Sequence, residues 1–262
     1  MRGKTVFFDI DGTLVDRMYN MPPSTAEALR RLRENGHRIF ICTGRTNGHI
    51  QSPVLLNAGF NGIISGCGTM IEYHQEVLYY HRIESELAEH TVRTVKSHGF
   101  RPILEGREYL YMDESDFDLS DAYGNKLRRE LGHHLRTIQG DWGEWEISKL
   151  SCATENIDCT PCFEALADHY EYLIHNSSVV EMVPKGHDKS TGIERVCRAL
   201  NIAPEDTIAF GDATNDLGML SVVHTAVAMG NAQENVKQAA DYVTADIWED
   251  GIWKGCRHLG LI

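Results

Sequence analysis

Near its start the chain carries Val6, Phe7, Phe8 and Ile10, apolar almost without alternation, and this run limits what the rest can fold into. A strand whose successive side chains are all apolar is buried on both faces, as in a parallel sheet, whereas a half-wet antiparallel strand alternates. The strand is read over residues 4–10. Pro22-Pro23-Ser24 halts the chain, and Ser24 with Glu27 fits a capping box. Ala28, Leu29 and Leu32 then give a helix its apolar stripe, and Gly36 stops it. Ile39-Phe40-Ile41 centres a second strand over 38–42, a short helix fits 48–58, and a third strand falls at 63–65. Strand, helix, strand, helix, strand is the rhythm of βαβ units.

That rhythm then loosens. Residues 69–71 and 77–80 suit a hairpin or two edge strands, 84–98 a helix, 109–112 a strand, 162–170 a helix and 172–174 a strand. Pro184-Lys185-Gly186 marks its return. Ile193, Val196, Cys197 and Leu200 share one face of a helix over 189–200, and Thr207-Ile208-Ala209-Phe210 is another buried strand. Further alternation follows at 226–229, 232–240 and 242–244. The expected architecture is α/β: a Rossmann-like, mainly parallel core sheet flanked by helices, with an inserted α+β domain. The core takes residues 1–83 and 184–262, and the insertion takes 84–183.

Composition removes several classes. With 42% hydrophobic and 24% charged residues the chain is ordinary globular protein, neither disordered nor fibrous. The formal net charge of −13, with no long Lys/Arg run, argues against nucleic acid as a partner. No stretch approaches the eighteen or so apolar residues of a membrane helix, and no secretory leader is readable, so a cytoplasmic protein away from membranes is expected. The seven cysteines form no evident disulfide framework. Cys159 and Cys162 form a C-x-x-C pair that could bind metal, but no second pair or suitably spaced histidine completes it. Oligomeric state is not readable.

Four short segments carry the chemistry. Asp9 and Asp11, Thr43, and Asp212 with Asp216 each fall at or just past the carboxyl end of an expected core strand, and Lys189 begins a core helix. Ligands of open α/β sheets gather outside the carboxyl ends of strands. Asp9-x-Asp11 is either a polar turn or a pair of carboxylates with separate roles, one ionised and one able to give a proton. Gly12 would let the chain turn tightly there. Thr43-Gly44-Arg45 is either a strand-ending turn or a hydroxyl and an N–H aimed at phosphate oxygens. Lys189 is either a surface lysine or a cation offsetting carboxylate and phosphate charge. Asp212-Ala213-Thr214-Asn215-Asp216 is either a helix-capping loop or a set of oxygen ligands suited to a hard cation such as Mg²⁺.

Together these segments resemble the four signatures of the haloacid dehalogenase superfamily, in its branch of hydrolases with a large inserted cap: Asp9-Ile10-Asp11-Gly12-Thr13, Thr43-Gly44-Arg45, Lys189, and Gly211-Asp212 through Asn215-Asp216. Val227 to Ala232 and Asp241 to Thr244 extend the likeness. The resemblance implies a Mg²⁺-dependent phosphatase acting on a small phosphorylated metabolite, a sugar phosphate or a phosphorylated cofactor. Asp9 would be the nucleophile and Asp11 the general acid and base. Thr43, Gly44, Lys189 and Asn215 would grip phosphate. Asp9, the Asp11 backbone carbonyl and Asp212 would hold the ion, with Asp216 as acidic support. A phosphotransferase or mutase using the same intermediate, or a non-catalytic metabolite-binding protein, would share these residues. The chain departs from the pattern at Ala213 and Ser190, where glycine is usual, and at Ser65-Gly66-Cys67-Gly68, which replaces an asparagine–glycine arrangement. Trp142, Glu144 and Trp145 in the insertion could meet a ring or polyol, or could pack the domain.

Overall fold

The computed structural model describes residues 3–16, 18–176 and 178–262, and of residues 175 and 176 only the backbone. β1 (Thr5–Phe8) is buried along its whole length, as its unbroken apolar run requires. α1 (Pro23–Glu34) begins one residue before the anticipated Ser24 cap. Pro23 takes the first turn, where a missing N–H is harmless, and Pro22 is the N-cap with no side-chain bond. Glu27 is drawn instead to Arg30 and Arg31, so no capping box forms. β2 (Arg38–Cys42) follows. The single helix anticipated over 48–58 is absent. A 3₁₀ turn, Asn47–His49, and the short α2 (Pro53–Leu56) replace it. Pro53 holds Ser52 in an extended conformation and cannot donate to a preceding turn, so a continuous helix is blocked there. β3 (Gly62–Ser65), β4 (Met70–Tyr73) and β5 (Glu76–Tyr80) complete this part.

Next come α3 (Ser85–Ser97), β6 (Arg101–Gly106), β7 (Leu110–Tyr111), α4 (Ala122–Leu131), β8 (Leu135–Arg136) and β9 (Ile147–Ala153). Then follow α5 (Thr160–Ala165), β10 (Tyr170–Asn176) and β11 (Val179–Pro184). β9 escaped the sequence reading because Ser148, Lys149 and Ser151 break its apolar signal, although every residue of the strand is buried. The helix read over 162–170 ends at Ala165, and its last residue, Tyr170, opens β10. The chain closes through α6 (Lys189–Ala199), β12 (Thr207–Gly211), α7 (Leu217–Val222), β13 (Thr225–Ala228), α8 (Glu234–Ala239), β14 (Tyr242–Val243) and α9 (Gly251–His258).

Two compact units result. The first comprises Met1–Gly44, Ser52–Tyr79 and Asp188–Ile262, and the second Arg45–Gln51 and Tyr80–His187. The first holds an eight-stranded sheet in the order β14-β13-β12-β1-β2-β3-β4-β5. β14 through β3 run parallel, and β4 is antiparallel to β3. This is a Rossmann-like α/β fold. Its core packs Phe7, Phe40 and Ile64 against Ile193 and Val196 of α6. The second unit holds a six-stranded, mainly antiparallel sheet in the order β10-β11-β9-β6-β7-β8, with Leu104, Leu150 and Met182 packed against Val92 and Val95 of α3. Among the described residues no helix is long and apolar enough to cross a membrane.

Candidate active site

The site is set by strand order. β1 lies between β12 and β2, parallel to both, with Phe8 in register with Phe210 on one side and Ile41 on the other. Neighbouring strands are about 4.8 Å apart, so the residues just beyond their ends, Asp9, Thr43 and Asp212, leave the sheet on one edge. The Asp9 N–H donates to the Phe210 carbonyl at 3.1 Å, and the Thr43 N–H to that of Ile64 at 2.9 Å. Past Asp9 the chain reverses at once, with the Leu14 and Val15 N–H groups both donating to the Ile10 carbonyl at 3.0 Å. Gly12 sits at φ +90°, and a Cβ there would fall 2.3 Å from Asp212 Oδ2. This turn brings the Thr13 hydroxyl to Asp212 Oδ1 at 2.8 Å, a link between segments 199 residues apart.

Lys189 is carried in by the first turn of α6. Its N-cap, Asp188, accepts from the Thr191 N–H at 2.7 Å, while the Thr191 hydroxyl accepts from the Asp188 N–H at 3.0 Å. The sequence reading passed over this capping box because its third residue is Thr rather than Glu or Gln. The Lys189 ammonium, 3% exposed, lies 2.6 Å from Asp9 Oδ1 and 2.5 Å from Asp216 Oδ1. Asp216 turns its other oxygen to the N–H groups of Asp212 and Ala213, at 2.9 and 3.0 Å. Asp216 therefore fixes both the lysine and the loop bearing Asp212. Ala213 adopts φ −115°, so alanine meets no strain in the place of glycine. Cys67 does take a left-handed φ of +54°, in line with Gly66 and Gly68, a conformation that glycine or asparagine enters more easily.

The electrostatics follow from crowding acids in a dry place. Burial pushes Asp9 up to about 8 against the pull of Lys189, and the charges of Asp216, Asp11 and Asp212 add to the rise. Burial likewise lifts Asp212 to about 7, opposed by the Thr13 hydrogen bond. Burial alone would lower Lys189, but Asp216 and Asp9 outweigh it and hold the ammonium well above its ordinary range. A site that resists ionising its carboxylates is short of positive charge. Carboxylate oxygens of Asp9, Asp212 and Asp216 lie within 4.8 Å of one another, an arrangement able to coordinate a divalent cation. Both Asp216 oxygens are already bonded, whereas Asp9 Oδ2 accepts no hydrogen bond from the described residues. The donor set is all oxygen, as a hard cation requires. Asp11 is exposed and outside this side-chain cluster; the resemblance assigns it to the ion through its backbone carbonyl. The Asn215 side-chain oxygen is buried without a hydrogen bond among the described residues.

Asp9, Asp11, Thr43, Gly44, Lys189, Asp212, Asn215 and Asp216 all lie in the first unit, whereas Arg45 of the second signature falls in the second. The sequence reading included Asn231 in the extended likeness but gave it no role; its amide donates to the Gly12 carbonyl at 2.8 Å while its oxygen accepts the Ile247 N–H at 3.0 Å. Its signal was the Gly230-Asn231 pair after β13. In the second unit, Trp145 is buried and donates to the Ile138 carbonyl, and Trp142 donates to Glu89 beneath Arg93. Those contacts pack the domain. Cys159 and Cys162 gain no third ligand among the described residues.

A model of the haloacid dehalogenase-like hydrolases matches residues 6–255, nearly the whole chain. YkrA of Bacillus subtilis is 30% identical over all of both chains. The B. subtilis 5-amino-6-(5-phospho-D-ribitylamino)uracil phosphatase YitU is 26% identical over 94% of each. The sugar phosphatase BT4131, of subclass IIB, superposes with a TM-score of 0.81 at 29% identity, over 99% of this chain and all of the other. The chain belongs to the haloacid dehalogenase-like hydrolases. It is an enzyme of the phosphatase class, with a carboxylate cluster placed for phosphoryl transfer.

Proposed function

We propose that the protein hydrolyses a small phosphate monoester, a sugar phosphate or a phosphorylated cofactor, with Mg²⁺ as its ion. The observation that carries this reading is the Lys189 bridge between Asp9 and Asp216, with Asp212 beside them. Asp9, Asp212 and the Asp11 carbonyl would hold Mg²⁺, whose charge offsets that of the phosphoryl group. Asp9 Oδ2 attacks phosphorus while Asp11 gives its proton to the departing alkoxide, leaving an aspartyl-phosphate and a free alcohol. Asp11 then takes a proton from water as the water's oxygen bonds to phosphorus, and the acyl phosphate breaks to inorganic phosphate and the Asp9 carboxylate. Lys189, Thr43, Gly44 and Asn215 orient the phosphoryl oxygens. The names of YitU and BT4131 support a substrate joining phosphate to a polyol or sugar. A phosphate-release screen over sugar phosphates and phosphorylated cofactors, with Mg²⁺ and with chelator, tests the reading. Release of both alcohol and phosphate is expected; phosphate passed to an added alcohol would mark a transferase, and binding without turnover a sensor.

A further inference from the structure

Seven residues of the second unit, Arg45–Gln51, follow the Thr43-Gly44 turn directly, so the boundary between units falls on the Gly44–Arg45 peptide bond. So short a segment cannot fix its own position; whatever grips it does so. Glu105 on β6, 3% exposed, reaches in both directions. Its Oε1 accepts from the Ser151 hydroxyl and lies 3.4 Å from Lys149 Nζ, both on β9. Its Oε2 faces the segment, 3.5 Å from the Thr46 hydroxyl and 3.8 Å from His49 Nδ1. Lys149 is anchored in turn by Glu181 at 2.7 Å, and His49 Nε2 lies 3.9 Å from Glu130 of α4. A second, independent grip is steric. A Cβ on Gly48 would fall 2.9 Å from the Gly106 carbonyl oxygen and 3.0 Å from the Glu108 carbonyl carbon, so the segment lies directly on the β6–β7 turn.

Burying Lys149 with Glu105 gives little net stability over an apolar pair of the same volume. What the charges add is a defined location for the segment. Three residues reach at most about 10 Å, so a shift at Thr46 has few dihedrals in which to dissipate before Thr43. We propose that Glu105 and Gly48 are positioning residues for the phosphate grip: they lock the segment Arg45–Gln51 to the second unit's sheet and so hold Thr43 and Gly44 from their C-terminal side. This rests on the reading above that Thr43 and Gly44 take the phosphoryl group.

The test compares Glu105→Gln, Gly48→Ala, Thr46→Val and the double variant Glu105→Gln/Thr46→Val with wild type. It measures Tm, kcat and KM on an ester from the screen, and the Kd of inorganic phosphate in saturating Mg²⁺ by calorimetry. Folded Glu105→Gln and Gly48→Ala should lose about tenfold or more in both kcat/KM and phosphate affinity. The double variant should bind phosphate no worse than Glu105→Gln alone, since both changes cut one link. Phosphate affinity within twofold of wild type, whatever the Tm or kcat, overturns the inference, as do additive losses in the double variant. Should Gly48→Ala fail to fold, the other three variants decide. A wild type that neither binds phosphate nor releases it removes the underlying reading, an outcome seen before any variant is compared.

Discussion

Asp9 carries two demands that pull against each other. As the nucleophile of the proposed reaction it must be ionised; as a residue 6% exposed among three other carboxylates it resists ionising. Lys189 only partly resolves the conflict, because it is shared with Asp216. Asp9→Asn keeps the shape and removes the charge. Turnover should fall by about three orders of magnitude or more, and circular dichroism should show the fold intact. At pH 8 without metal the variant should melt no lower than wild type, because the neutral amide escapes the repulsion; a Tm several degrees below wild type would contradict that account. Lys189→Met should do the opposite, lowering Tm, since it leaves Asp9 and Asp216 buried without their shared cation.

Two elements present these side chains, and each has a weak point. The turn after β1 depends on Gly12: any side chain there would need φ near +90° and would strike the Asp212 carboxylate. Gly12→Ala should reduce activity at least about tenfold, and the readout is the Mg²⁺ concentration giving half-maximal turnover, which should rise because Asp212, the proposed metal ligand, is displaced. α6 depends on its capping box. Asp188→Ala should cost about 1 kcal/mol in denaturant unfolding, and it should lower kcat through Lys189, next along the helix. The apolar stripe of this helix was plain in the sequence. The cap was not, because Asp-x-x-Thr makes the same reciprocal bonds as a box ending in Glu or Gln but lacks its signature. The 48–58 helix failed for a related reason. Its periodicity was adequate, but Pro53 ended any continuous hydrogen-bond ladder.

At the scale of the molecule, charge links metal, proton and stability. Asp9 and Asp212 titrate near 8 and 7 in the fold, far above an unfolded aspartate near 3.8. Between about pH 4 and 8 the folded site retains protons that the unfolded chain has released, so these two groups stabilise the fold below that window and lose the contribution as pH rises through it. A divalent ion competes with those protons. Without metal, Tm should therefore decline from pH 5 to pH 8. Added Mg²⁺ should raise Tm, by more at pH 8 than at pH 5, and a chelator should reverse the rise. An equal Mg²⁺ effect at both values would mean that the carboxylates bind no ion. Asp212→Asn should abolish most of the Mg²⁺-dependent rise.

Some of this was written in the chain itself. Short apolar runs of β-branched and aromatic residues bounded by turn signals suit strands buried on both faces, and helical stripes between them suit parallel crossovers, so the α/β core and the strand-end position of each acidic segment were legible in local pattern. The inserted unit was less legible. β9 buries Lys149 and Ser151, whose polarity is answered by Glu105 and Glu181 from strands far away in sequence. The pairing of Lys189 with Asp9 spans 180 residues, and the link from Thr13 to Asp212 spans 199. No local signal encodes contacts of that separation. They exist because the sheet places β12 and β2 on either side of β1, and strand order is decided only when the whole core packs.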